Sequence, residues 1–173
     1  STKVLSIDAF DTLLWRRVPE PGDVFLVLGD QLARAGNLAP EMVPVTFAEL
    51  RRAAERAARA KVQAVTGYRE VTLADIYDAM PAGVFADGFS QQAEAELACE
   101  RGLLVADDAI VGLIADARSA GARVILVSDT YFKAEEMRGL LRAAGIDDLA
   151  FDRIYVSCEA GRPKYREIGR AHV

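Results

Sequence analysis

The chain predicts an α/β fold: a parallel sheet flanked by helices, with a long helical segment inserted after the first strand. Three observations predict it. Short apolar, β-branched runs occur at 3–7, 123–127 and 153–156, the pattern of parallel strands buried on both faces. From Asp107 onward helical and strand-like patterns alternate at the spacing of βα units. Between the first and second runs nearly everything has the period of a helix.

Taken in order, Val4, Leu5 and Ile7 form the first strand, and Asp8 stands directly at its end. Residues 21–35 place Val24, Phe25, Leu28 and Leu32 at helical spacing, with Pro21 suited to a first turn. Residues 37–45 carry two prolines and no period, so they read as a loop. Thr46 and Glu49 have the spacing of a capping box. The helix they would open runs to about Thr66, with Phe47, Leu50, Ala54, Ala58, Val62 and Val65 on one side and an Arg- and Glu-rich, solvated face on the other. Shorter helices are expected over 72–80 and 90–102. Asp107 or Asp108 caps the next helix, which carries Ile110, Val111, Leu113, Ile114 and Ala117 and ends at Gly121. A strand ending in Ser128, a helix with Met137, Leu140 and Leu141 inward, and a strand over 153–156 complete the pattern. The organisation is therefore a core of 1–15 and 104–173, with a helical cap of 16–103 that should lie over the strand tip bearing Asp8.

Composition bounds the function. The chain has 173 residues, 51% apolar and 27% charged, with net charge −5 and cations spread among the acids. That argues against a broad nucleic-acid surface and leaves room for a local anion pocket. No apolar run approaches the ~18 residues a membrane span needs. The first residues enter the first strand directly, without a signal peptide. Cys99 and Cys158 lack metal-ligand spacing and read as thiols in a reducing compartment, so a cytoplasmic location is expected.

Three strand ends present polar groups: Asp8, then Ser128 with Asp129, then Lys164 in a loop bearing Gly161 and Pro163. In open α/β sheets ligands bind outside these carboxyl ends. A carboxylate there can attack, a hydroxyl can donate to the transferring group, and an ammonium can neutralise charge on both. Thr12, Arg16 and Asp129 are the substrate-binding candidates, although Asp129 reads more readily as a cap of the following helix. Asp11 reads as a turn former or as an acid displaced into the loop. Glu159 could pair with Lys164, whereas Trp15, Tyr131 and Phe132 read as packing residues of the seam between core and insertion. His172, the single histidine, is a poor candidate base.

The runs IDAFDTLL, VILVSD and AGRPK resemble, in order, the first three motifs of the haloacid dehalogenase superfamily of Asp-nucleophile hydrolases. In particular the first is similar to a subgroup reading D-x-F-D-T-L-L. The resemblance spans nearly the whole chain and implies a Rossmann-like sheet with an inserted helical cap. It implies that Asp8 is the nucleophile, that Ser128 and Lys164 hold the transferring oxygens, and that Asp8 and the backbone carbonyl of Phe10 ligate Mg²⁺. The implied substrate is a small phosphate ester or other small anion.

Two departures bear on this. Phe10 stands where the phosphatases of the family carry a second, leaving-group aspartate, a position where the dehalogenase branch is also aromatic. No acidic pair follows Lys164, where the family's fourth motif would complete the Mg²⁺ site. The sequence is then a fragment, has lost the metal site, or takes the missing part from another chain. Three readings follow: a Mg²⁺-dependent phosphatase, a metal-free C–X hydrolase, or a catalytically silent binding module. A sheet incomplete at its C-terminal side and an apolar helical cap would also offer surfaces for a homo-oligomer.

Overall fold

A computed structural model describes residues 3–164. The chain divides into two compact units, one formed by the residues up to Arg17 and those from Leu104 on, the other by Val18–Leu103. Arg16 and Arg17 lie in the first unit, whereas the hydrophobic pattern sets the boundary after Trp15.

In the first unit, β1 (Val4–Ile7), β4 (Arg123–Ser128) and β5 (Arg153–Val156) form a parallel sheet in the order β1-β4-β5. The register pairs Ile7 with Leu126 and Ser128 with Val156. Val124, Leu126 and Val127 on the middle strand are buried, as a central parallel strand requires, and so is Val156 on β5. Between β4 and β5 runs α6 (Ala134–Ala143), which buries Met137, Leu140 and Leu141 as its spacing predicts. Preceding β4 is α5 (Asp108–Ser119); the Asp107 carboxylate accepts from the N–H groups of Ala109 and Ile110 and caps it. Of its apolar residues only Ile114 is buried, while Val111 and Leu113 are exposed.

Two strands escaped the sequence pattern. β2 (Leu14–Arg16) and β3 (Leu104–Ala106) pair antiparallel, Leu14 opposite Ala106, and flank the inserted unit at its two ends. Three residues are too few to show a period of two.

The second unit is helical: α1 (Val24–Arg34), α2 (Pro44–Thr66), α3 (Leu73–Asp78) and α4 (Gln92–Leu103). Its core gathers Val24, Leu28, Leu32, Leu38, Phe47, Val84 and Cys99. Gly29 lets α1 approach α2 closely, since a methyl placed there would lie 3.0 Å from both the Cα and the carbonyl oxygen of Pro44. The expected capping box at Thr46 is not made. The helix starts three residues earlier, with Val43 at the N-cap, no side-chain cap and Pro44 in the first turn. The reciprocal cap occurs instead at α3, between Thr72 and Asp75.

The buried stripe of α2 is not wholly apolar. Arg51 is wholly buried and forms a bidentate pair with the wholly buried Glu96, 2.7 Å on each arm. At the other end of the helix Val65, expected inward, is exposed. No helix among the described residues is long and apolar enough to cross a membrane.

Candidate active site

The chain turns sharply after β1. The Ala9 carbonyl accepts from the N–H groups of both Leu13 and Leu14, and the Asp11 N–H donates to the Leu14 carbonyl. Asp11 takes φ = 59°, a left-handed conformation that Asp tolerates better than most residues. Its role in the structure is thus the turn itself, and its side chain stays exposed. Ala9, Leu13 and Leu14 are buried within this turn, so Asp8 is held at the strand tip by packing on its C-terminal side.

Asp8 and Lys164, 156 residues apart, meet: Lys164 Nζ donates to Asp8 Oδ2. The other carboxylate oxygen, Oδ1, accepts from the Ala9 N–H at 2.8 Å. Each side chain is about one-third exposed, at 36% for Asp8 and 34% for Lys164, so both reach solvent while paired. Ser128 ends β4, the strand beside β1, and is buried. Because the strands are parallel and Ile7 lies opposite Leu126, Asp8 and Ser128 follow at the carboxyl ends of neighbouring strands.

Asp129 does not cap α6, whose N-cap is Lys133. Its Oδ1 accepts from the Lys164 backbone N–H at 2.7 Å. Glu159, expected beside Lys164, instead accepts from the Ala134 N–H at 3.0 Å and so serves the first turn of α6 from another element. Ser157, which sequence reasoning passed over, accepts from the Thr130 N–H at 3.0 Å and donates to the Thr130 carbonyl at 3.3 Å. Its signal was faint: a hydroxyl directly after the third strand, as Ser128 ends the second.

Arg16 lies on β2 with its guanidinium 4.2 Å from the centre of the Phe10 ring. Phe10 also packs on Phe132, which is buried and stacks on Tyr131. The Thr12 carbonyl accepts from the Trp15 indole N–H at 3.1 Å. His172 lies outside the described residues. Both cysteines are free; burial pushes Cys99 to about 12 and Cys158 to about 11, so neither is a ready nucleophile.

The sequence candidates for holding a hard cation are two of the oxygen-bearing groups at the tip. They are the Asp8 carboxylate and the Phe10 carbonyl, which accepts no hydrogen bond among the described residues. Mg²⁺ is commonly held by one or two protein carboxylates, with waters and substrate phosphate filling the octahedron. The pair suits that mode of binding. No cluster of three or more His, Cys, Asp or Glu capable of holding a metal occurs among the described residues.

A parallel α/β core split by a helical insertion after β1 is a fold that the chain shares with solved structures of haloacid dehalogenase-family enzymes. No protein-family model and no curated protein matches the chain. Among solved structures it is similar to the L-2-haloacid dehalogenase from Xanthobacter autotrophicus with chloropropionic acid covalently bound. That match has TM-score 0.56 and 17% identity, covering 99% of this chain and 65% of the enzyme. It is similar also to a family enzyme from Bacteroides thetaiotaomicron in complex with magnesium and inorganic phosphate, at TM-score 0.56 and 17% identity over 99% of this chain and 77% of that one. The chain therefore spans just under two thirds of the length of the Xanthobacter enzyme.

Proposed function

We propose that this chain is a hydrolase in which the Asp8 carboxylate attacks a small phosphate ester. The ion pair between Lys164 and Asp8 at the strand tips carries this reading. Asp8 is oriented through both of its oxygens, by the Lys164 ammonium and by the Ala9 N–H. An oriented, ionised carboxylate is the nucleophile such chemistry uses. It forms a bond to phosphorus, the bond to the leaving alkoxide breaks, and an aspartyl phosphate results. Water then adds to phosphorus, releasing inorganic phosphate and the free carboxylate. The Ser128 hydroxyl and the Lys164 ammonium donate to the phosphoryl oxygens, whose charge grows in the transition state. When bound by Asp8 and the Phe10 carbonyl, Mg²⁺ would supply further neutralisation of the phosphoryl oxygens.

Phe10 shapes the substrate preference. Its ring, packed against Phe132 and under Arg16, carries no proton for a departing alkoxide. A positioned general acid contributes about 10²–10⁴-fold, so esters of acidic alcohols should turn over faster than alkyl esters by a factor of that order. The same ring favours a second reading, hydrolysis of a C–X bond: the carboxylate displaces halide, forming an ester that water cleaves at its carbonyl carbon. Halide leaves without a proton.

The test is a panel of aryl phosphates, alkyl phosphates and 2-halo acids, with and without Mg²⁺. Mg²⁺-dependent turnover of aryl phosphates, lost in Asp8→Asn with folding retained, is the expected outcome. Turnover of halo acids without metal, with heavy oxygen from solvent entering Asp8, would establish the second reading. A folded wild-type chain with no turnover and no binding of Mg²⁺ or beryllofluoride would reject both in favour of a silent binding module.

A further inference from the structure

Asp129 is an exposed carboxylate directly after Ser128, and the proposed reaction gives it no chemical step. An unengaged carboxylate at that tip would repel the anion the reading requires. It is engaged. Its Oδ1 accepts from the main-chain N–H of Lys164, 35 residues on, at 2.7 Å, while the side chain of the same lysine reaches Asp8. A lysine head sits on a flexible four-carbon stem, so its position is defined only when its own backbone is held.

The loop that must be held follows Gly161, at φ = 69°, and contains Pro163. Upstream it is tied to the β4 tip by the paired hydrogen bonds between Ser157 and Thr130. Downstream the tie is Asp129. Two consecutive residues after Ser128 thereby pin both ends of the segment that delivers Lys164.

We infer that Asp129 is a positioning residue for Lys164: its carboxylate oxygen anchors the Lys164 main chain so that the ammonium is presented to Asp8. The anchoring stands on the geometry, and only its catalytic consequence rests on the proposed hydrolase reaction. Acceptor capacity, rather than charge, does the anchoring, so an amide oxygen serves almost as well.

The experiment compares wild type, Asp129→Ala and Asp129→Asn in two measurements. Competitive acetylation of lysines, read by mass spectrometry with exposed Lys61 as the internal reference, reports the freedom of the Lys164 amine. Steady-state kinetics on the best substrate reports the consequence. Asp129→Ala should raise Lys164 labelling several-fold and lower kcat by about 10–100-fold, the scale of a misplaced catalytic group. Asp129→Asn should recover most of both. Unchanged Lys164 labelling in Asp129→Ala overturns the proposal, as does an equal rise in KM for the Ala and Asn variants with kcat intact, which would make Asp129 a substrate contact. If labelling responds as expected while wild type turns over no substrate, the anchoring stands and the hydrolase reading falls.

Discussion

At the residue scale, the Arg51–Glu96 pair shows how burial changes what a charge is worth. Both side chains are inaccessible to solvent, yet each is answered. Arg51 forks onto Glu96, also donates to Glu55, and stacks 4.4 Å from the centre of the Phe25 ring. Glu96 further accepts from the Tyr77 hydroxyl at 2.6 Å; burial first, then the Glu96 charge, pushes that phenol well above its ordinary pKa. Removing one member strands the other, at a cost of about 3–5 kcal/mol. Arg51→Met should therefore lower the thermal midpoint severely, whereas Arg51→Met combined with Glu96→Leu should lose much less; equal losses in single and double variants would contradict the account.

The carboxylates of the first unit carry a pH dependence of defined sign. Burial raises the Asp148 carboxyl, but hydrogen bonds from Arg138 and Arg142, with the Arg142 charge, outweigh it and hold it below the ordinary value. Asp152 is lowered first by the Val124 N–H and then, against some desolvation, by Arg118 and Arg123. A folded pKa below the unfolded one means that the unfolded chain binds more protons. Stability from these groups is full above the unfolded value near 4 and drains away as pH falls through the folded value. Asp152→Asn should flatten the acid limb of an unfolding titration below about pH 4. At the other extreme, the raised thiol of Cys99 makes stability fall as pH rises above about 8.5 toward 12, and at pH 8 Cys99, the buried thiol, should react with thiol reagents only on unfolding.

At the scale of elements, two helix termini and one helix crossing make distinct statements. α2 begins at Val43 with extended backbone and no side-chain acceptor, so Val43→Asp should satisfy an orphan N–H and add about 0.5–2 kcal/mol. Denaturant unfolding checks this, and an unchanged or lower midpoint would count against it. α6 shows the reverse arrangement, its Ala134 N–H served by Glu159 from α7 (Ser157–Ala160). Where α1 crosses α2 at Gly29, an added methyl meets the Pro44 backbone at 3.0 Å and the ring of the fully buried Phe47 at 3.1 Å. Gly29→Ala should cost about 1–3 kcal/mol despite alanine's better helix propensity, and a neutral or stabilising result would mean that the helices separate freely.

At the scale of the whole molecule, each unit has its own buried cluster, and the legibility of the two differed. β1, β4, β5 and the inward residues of α6 were readable because parallel strands and an amphipathic helix write their burial into local periodicity. β2 and β3 were not, because a three-residue pair is defined by its partner. Arg51 was missed for a related reason. It lies in phase with Phe47, Ala54 and Ala58 on the buried stripe, a signal that was present, but a charge on a helix is ordinarily solvated and its partner is 45 residues away. At the site, Asp8 was legible from the strand that ends in it. The engagement of Asp129 and Glu159 was not, since each side chain had several acceptable local partners and took a distant backbone N–H instead.

The sequence alone determined the α/β class, the helical insertion and the placement of Asp8 and Ser128 at strand ends, because burial on both faces of a parallel strand constrains every residue along it. The tertiary structure decided which of the polar groups near those ends meet. It paired Lys164 with Asp8, turned Asp129 toward the Lys164 backbone, sent Glu159 to α6 and buried Arg51 against Glu96. A hydrogen bond depends on a few tenths of an ångström and a direction between residues remote in sequence, and no local pattern encodes either.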